Sequence, residues 1–383
     1  MKTKYLTLAL LLSTLFACSS SNNSDPQANG NVSTSRENAI QCLDQGDTQC
    51  AQNNFCGLQN QNPGDAALAL RCCTSQFLNV MFSDNTQNLG KMLGYKPTSF
   101  ASLKNSTLSS LISNKKIVFG ELIFLSQDEA PKLRDLVLQW GTQLSNDHSS
   151  THELNQKFIQ LGQDLKGVSE CLAKLPQNFP EDELEGNFFG SKDKIKVTSR
   201  DIDFLQFASN SLSYLAMSIP QYEWGFDYFP SWPFEDSFYQ DINGKQGSGD
   251  KRFGDLSSDA ATQIVHNAPL LRNGLQSFDN FLHESKTGLI DAWLRWRFSQ
   301  DDLVTYTAVL QSALASLQAN QWMGISGKTF ILNTSSLLHE ETLPNAKNIP
   351  SDTNLLEQKS NGDPDINDDY LKDLFHDLLR FRS

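Results

Sequence analysis

Side chains able to do metal or acid–base chemistry are sparse in this sequence. Six histidines, His148, His152, His266, His283, His339 and His376, are scattered through it. His148 and His152 stand four apart, a spacing that puts both on one helical face, with Glu153 beside them. A zinc peptidase needs His-Glu-x-x-His, so that two imidazoles hold the metal and the glutamate acts as general base. His152-Glu153, His283-Glu284 and His339-Glu340 each lack the second histidine. Oxygen ligands at alternate positions, which suit calcium, occur twice. Asp241 and Asn243 begin one run, but its later ligand and turn positions fall on Lys245, Gln246 and Arg252. Asp363, Asp365 and Asn367 begin the other, with Asp368 where the loop glycine belongs and Leu374 where the closing glutamate belongs. Both read as solvated acidic turns. Gly327-Lys328-Thr329 has the ending of a phosphate-binding loop, but Trp322 occupies the place of its first glycine. No Gly-x-Ser-x-Gly elbow surrounds Ser326. No catalytic residue, metal ligand or cofactor site is assigned, and no enzyme activity is expected.

The N-terminus carries a different kind of chemistry. Lys2 and Lys4 precede an apolar run from Leu6 to Phe16, which ends Leu15-Phe16-Ala17-Cys18. An apolar stretch this short, after positive charge and before small residues, is a secretory signal rather than a membrane span. The segment resembles the lipobox of bacterial lipoproteins, Leu-x-(Ala/Gly)-Cys, with Phe16 bulkier than usual at its place. The resemblance implies that Cys18 takes a diacylglyceryl group and becomes the first residue of the mature chain. Ser19 follows the cysteine where an Asp would favour inner-membrane retention, so the pattern implies the outer membrane, with the body on its periplasmic face. Residues 19–34 are rich in Ser, Asn, Gly and Gln, the composition of a flexible tether.

Charge and composition limit the partners. The chain has 383 residues, 31 Lys+Arg against 44 Asp+Glu and a formal net charge of −13. Phosphate neutralisation needs surplus cations, so nucleic acid is excluded as a partner. Loss of the signal removes Lys2 and Lys4 and deepens the acidity, which disfavours lying on an anionic membrane. The membrane is met through the lipid on Cys18, not through the body. A hydrophobic content of 39% is enough for a packed core.

Six cysteines remain: Cys42, Cys50, Cys56, Cys72, Cys73 and Cys171. An even number in an exported chain reads as a disulfide framework whose connectivity the sequence leaves open. There is no Cys-x-x-Cys, which argues against a redox site or zinc ribbon. Cys72 and Cys73 are adjacent, would point apart on a helix and need different partners. The expectation is staples within 42–73, with Cys171 reaching back or free; small buried thiols without bridges are the alternative.

Gly46 stands where a helical hairpin turns, Ala51, Phe55 and Leu58 share a helical face, and Pro63-Gly64 stops the helix. This resembles the second half of a tetratricopeptide repeat, in which a small Ala lets antiparallel helices approach and an aromatic fills the space to the next unit. Ser35, Asn38, Ala39 and Cys42 hold the less well matched places of the first helix. A degenerate second copy ends at Pro97, with Cys72 and Cys73 at the Leu-Gly places, Asn85 at the Ala place and Leu89 at the Phe place.

The remainder has helical spacing over 133–144, 154–175, 201–219, 289–317 and 368–381. The 201–219 segment reads as amphipathic, with Phe204, Leu205, Ala208, Leu212, Leu215 and Ile219 on one side, and Ser199 and Ser299 sit near helix starts. No region alternates with period two over several strands, so no sheet is expected. The fold class is all-α: antiparallel helical hairpins, tetratricopeptide-like at the N-terminus, with a long aromatic-rich loop. The organisation is signal peptide 1–17, tether 18–34, helical region 35–180, connection 181–200 and C-terminal helical region 201–383 with a loop over 220–256.

Within that loop Tyr222, Trp224, Phe226, Tyr228, Phe229, Trp232, Phe234, Phe238 and Tyr239 crowd among prolines. Such a segment either stacks an apolar or glycan ligand or grips a partner, or else packs as a cover into the helical groove. Trp224, Tyr228, Trp232 and Phe234 are the candidate ligand or partner contacts. The layout is similar to exported lipoproteins with tetratricopeptide-like helices, one group of which accompanies the periplasmic binding proteins of TRAP transporters. The function expected is a lipid-anchored periplasmic scaffold holding another envelope protein in an exposed apolar groove. The alternative is a ligand-binding accessory of a transport system that uses the aromatics of 222–239.

Overall fold

A computed structural model describes residues 35–92, 151–176, 179–180, 182–189, 194–223, 254–284, 288–290, 300–325, 330–349, 356–358, 364–366 and 373–381. Cys18, Pro97, the 133–144 segment, Ser299, both alternating acidic turns at their first ligands and the candidate contacts Trp224, Tyr228, Trp232 and Phe234 lie outside them.

The described chain is mostly helical. Helix α1 (Arg36–Gln45) starts at Ser35, whose hydroxyl accepts from the Asn38 N–H at 3.0 Å. It ends at Gly46, where φ is 81° and the amide returns to the carbonyls of Cys42 and Leu43. That left-handed conformation suits glycine because a Cβ would crowd the backbone. Asp47 then caps α2 (Thr48–Gln61), accepting from the Cys50 N–H at 2.8 Å. Asp65 does the same for α3 (Ala66–Phe82), accepting from the amides of Ala67 and Leu68. These are the donors an isolated helix leaves without partners. α4 (Asp84–Met92) and α5 (Thr151–Leu172) complete this region. Leu43, Ala51, Phe55, Leu70, Phe158, Leu161 and Leu165 are its fully buried centre.

The connecting stretch contributes to that same core. Strands β1 (Asp182–Leu184) and β2 (Ile195–Val197) form an antiparallel hairpin with Glu183 opposite Lys196. Leu184, Ile195 and Val197 are buried, as is Phe188 from the 3-10 turn between the strands. Phe188 stacks on Phe55, with ring centroids 5.3 Å apart. The aromatic of α2 is thus covered by this turn.

Helix α6 (Ser199–Ser218) runs between α5 and α7 (Ser258–His283). It was expected to be amphipathic, yet none of its residues is exposed. Ser209, Asn210, Ser211 and Ser213 are buried with Phe204 and Leu212. The reason is close approach on two sides. A Cβ on Gly274 of α7 would fall 2.6 Å from the Ser211 hydroxyl, and one on Gly162 of α5 would fall 3.0 Å from the Ser213 carbonyl. Ser213 donates to the Gly162 carbonyl at 2.6 Å, and Ser209 to the Leu205 carbonyl at 2.7 Å, so these hydroxyls are buried with partners. The cap lies one residue before the expected Ser199. Thr198 is the N-cap, and its N–H donates to the Asp201 carboxylate at 2.8 Å. Helix α8 (Gln300–Ala319) covers the later part of the expected 289–317 helix; Leu289 and Ile290 are also helical.

Two expectations need correction. Small sheets do occur. β3 (Tyr222–Glu223) pairs with β4 (Asp255–Leu256), and β7 (Leu356–Gln358) with β8 (Pro364–Ile366). β5 (Met323–Gly324), β6 (Phe330–Leu332) and β9 (Leu379–Phe381) form a three-stranded sheet. Strands of two or three residues are too short to show an alternating pattern. The expected helix over 368–381 is likewise not continuous. Asp373 and Leu374 are helical, a turn follows, and β9 pairs Leu379 with Leu332. Leu378 accepts from the Asn333 amide at 2.9 Å, so the backbone that would continue the helix joins the sheet region instead. Among the described residues, no helix is long and apolar enough to cross a membrane.

Candidate functional site

Arg71 sits inside the apolar run of α3 and is 2% exposed. A buried guanidinium needs partners for its donors. Nε donates to the two carboxylate oxygens of Glu185 at 3.1 and 2.9 Å. Nη1 donates to the Ala67 carbonyl at 2.9 Å and to Asp182 Oδ2 at 2.6 Å. Nη2 donates to the Glu183 carbonyl at 2.8 Å. One side chain therefore ties α3 to both ends of β1. Bonding the Glu183 carbonyl also covers an edge that a two-stranded hairpin would otherwise leave open.

Arg36 at the start of α1 completes the cluster. Its Nε donates to Glu185 Oε1 at 2.7 Å, and its Nη2 bonds the same oxygen. Burial pushes the Glu185 carboxylate up, but its own backbone amide and the two arginines outweigh that and hold it below the usual range. Glu185 thus stays ionised between two fixed cations.

Beside this cluster lies a groove of about 450 Å³ lined by Arg36, Ala67, Arg71, Asp182, Glu183, Lys194 and Lys196. Lys194 pairs with Glu183 at 3.5 Å, both side chains well exposed. In size the groove falls within the range of ordinary ligand sites. Its walls are charged, so the apolar groove expected for a scaffold is not what the described residues form here. Fixed charges of this kind can bind and orient a charged or polar group. Among the described residues, no group of three His, Cys, Asp or Glu side chains is placed to hold a metal ion.

A second charged cluster joins the ends of α6 and α7. Arg200 donates to the carbonyls of Phe281 and Glu284 at 2.5 and 2.6 Å, and its guanidinium lies 4.2 Å from the centroid of the Phe281 ring. Ser199 donates to Glu284 Oε2 at 2.8 Å. Half-buried Asp203 has its carboxyl pushed up to about 6, by burial first and the Glu284 charge second. Asp201 is also raised by burial, although the amides of Ile290, Thr198 and Leu289 oppose the shift. Its bonds, including 2.8 Å from the Ile290 N–H, mark it as a helix cap that also holds the chain at 289–290.

All six body cysteines pair. Cys42 bonds Cys50, Cys56 bonds Cys72 and Cys73 bonds Cys171, with Cα separations of 5.6, 4.6 and 5.5 Å. These separations lie in the ordinary disulfide range. Adjacent Cys72 and Cys73 indeed take different partners, and Cys171 reaches back across the fold.

The charged groove is not evident from the sequence alone. Two signals for it were present: Arg71 interrupts the apolar run Ala66–Leu70, and Asp182, Glu183 and Glu185 concentrate three carboxylates within four residues. Neither says that the two meet, because Arg71 and Glu185 are 114 residues apart in the chain. In comparisons with protein-family models, curated proteins and solved structures, the chain matches none of them.

Proposed function

We propose that this chain is an exported, lipid-anchored helical scaffold that binds another protein of the cell envelope through the charged groove between α1, α3 and the β1–β2 hairpin. The observation that carries the reading is the pairing of all six body cysteines. Disulfides persist where the surroundings oxidise thiols, as they do outside the cytosol. That agrees with a secretory signal ending in a lipobox, and it leaves Cys18 as the seventh cysteine, available for acylation. Several acyl chains on one cysteine hold a protein to a membrane where a single chain binds marginally. The groove adds a concave face in which buried bonds fix the Arg71 charge, a geometry suited to recognition rather than to catalysis.

The test is crosslinking in intact cells followed by membrane fractionation, comparing the parent with Cys18→Ala. The expected result is a discrete adduct with one envelope protein and parent protein in the membrane fraction. Cys18→Ala should move to the soluble fraction. An empty pull-down after crosslinking, together with unchanged fractionation of Cys18→Ala, would overturn the reading.

A further inference from the structure

We infer that the three disulfides are made in the order of the chain by a thiol oxidase, with no isomerase, and that this order holds because the Cys18 thiol is withdrawn before oxidation begins. The inference rests on the lipid-anchor reading for what withdraws that thiol.

Connectivity is the first argument. Counted from Cys42, each cysteine is bonded to its neighbour in the sequence: Cys42 to Cys50, Cys56 to Cys72 and Cys73 to Cys171. The bonds join α1 to α2, α2 to α3 and α3 to α5. No loop so closed encloses a cysteine that belongs to another bond. A chain that emerges N-terminus first therefore offers its native partners two at a time.

Spacing is the second argument. Before α3 packs, Cys72 and Cys73 stand at nearly the same distance along the chain from Cys56, and again from Cys171. The cost of closing a loop grows only slowly with its length, so loop closure does not choose between them. Order does choose. Cys72 is the first thiol to follow Cys56, and once it is engaged Cys73 is the one left for Cys171. The same order gives Cys18 its weight. With a free thiol there, pairing in order would join Cys18 to Cys42, Cys50 to Cys56 and Cys72 to Cys73, and leave Cys171 over. None of these is a bond of the folded chain.

Permanence is the third. Cys42, Cys72 and Cys73, one from each bond, are buried. Exchange needs a thiolate to reach a disulfide sulfur. The folded chain shields its bonds from that attack, so the pairing has to be right before the helices close over it.

The chemistry is thiol–disulfide exchange. Each pair of thiols passes two protons and two electrons to the disulfide of an oxidising dithiol protein, through a mixed disulfide, and that protein leaves as its dithiol. At Cys18 a sulfur–carbon bond to the diacylglyceryl group of a lipid replaces the S–H bond, and the lipid's headgroup leaves with the proton. A thioether has no thiolate to enter the exchange.

The experiment maps disulfides by mass spectrometry of thiol-trapped peptides, in cells with and without disulfide isomerase activity. The parent is compared with Cys18→Ala and with a free-thiol form, in which a secretory signal without a lipobox replaces residues 1–17. Parent and Cys18→Ala should show the three native pairs in both kinds of cell. The free-thiol form should lose most of them where the isomerase is absent, gain a peptide joining Cys18 to Cys42, and recover where the isomerase is present. Native pairs in the free-thiol form without isomerase, or a parent that needs the isomerase, would overturn the inference. If the free-thiol form is not recovered from cells, residues 18–383 reduced in urea and reoxidised by glutathione disulfide decide the matter. They should give fewer native pairs with Cys18 than with Cys18→Ala, and equal yields overturn the inference. The mass of the parent's Cys18 peptide separates the two readings. An acylated Cys18, with native pairs in the free-thiol form, leaves the anchor and removes the inference. An unmodified Cys18 in the parent removes the anchor; the parent's own pairs then decide the inference, which stands if they are shifted and falls if they are native.

Discussion

The two halves of the molecule hold their helices together by different means. From α1 to α5 the links are covalent and ionic: three disulfides and an arginine bonded to two carboxylates. From α6 to α8 the described residues carry no disulfide. There Gly274 of α7 packs closely against Ser211 of α6, whose other side meets Gly162 of α5 through Ser213, and Phe204, Phe207, Phe278 and Phe281 pack with ring centroids 5.0–5.9 Å apart. The first strategy ties distant parts of the chain to defined partners. The second relies on close surface fit, where a single methyl group is felt. The difference teaches that each half has its own point of failure, and each can be attacked separately.

The largest expected effect is at Arg71. Replacing it with Met leaves Glu185 buried beside half-exposed Arg36, and breaking a buried pair costs about 3–5 kcal/mol. Urea unfolding of Arg71→Met should show that loss, and adding Glu185→Leu should recover much of it. A single substitution that costs nothing would show that the ionic cluster does not hold the first half together.

Next comes the longest cross-link. Cys73→Ser with Cys171→Ser should cost about 2–4 kcal/mol, since the bond closes a long loop of the unfolded chain. The urea midpoint of the parent should fall on reduction by more than that of the variant. Equal shifts would put the covalent contribution elsewhere.

In the second half, Gly274→Ala places a methyl against Ser211 and should cost about 1–3 kcal/mol by overpacking. Adding Ser211→Gly should return part of the loss if close approach is the cause. Reductant should change the size of this loss little, which would separate the two strategies directly.

The smallest effect is a pH dependence, and its sign differs between the halves. Asp203 is raised to about 6, so the folded state binds its proton more tightly than the unfolded state does. Its contribution favours the fold at low pH and is lost as pH rises from the ordinary aspartate range through about 6. Asp203→Asn should remove that fall, a difference of about 1 kcal/mol after discounting for solvent. Glu185 is lowered, so its contribution is present at neutral pH and is lost as pH falls below the usual glutamate range. Thermal melts of parent and Asp203→Asn across pH 4–7 should converge on the acid side.

The hairpin around Gly46 and the stop at Pro63-Gly64 were legible because turn glycines and helix-ending prolines act locally. The need for two partners at Cys72 and Cys73 was legible from helix geometry. What stayed hidden depends on distance or on the exception to a rule. Ser209, Ser211 and Ser213 are polar by hydropathy, yet they are buried because small side chains let helices touch on two sides. The three-residue strands lack enough length for a period. The meeting of Arg71 with Glu185 is a property of the folded chain alone.

The bond between Cys73 and Cys171 spans 98 residues of sequence. A protease that cut once anywhere within 74–170 would produce two polypeptides but one covalent object. Such a nick would pass unseen on a non-reducing gel and appear as two bands after thiol treatment. With a lipid on Cys18, the clipped C-terminal piece would stay at the membrane through α3, and only a reducing agent would free it from that covalent link.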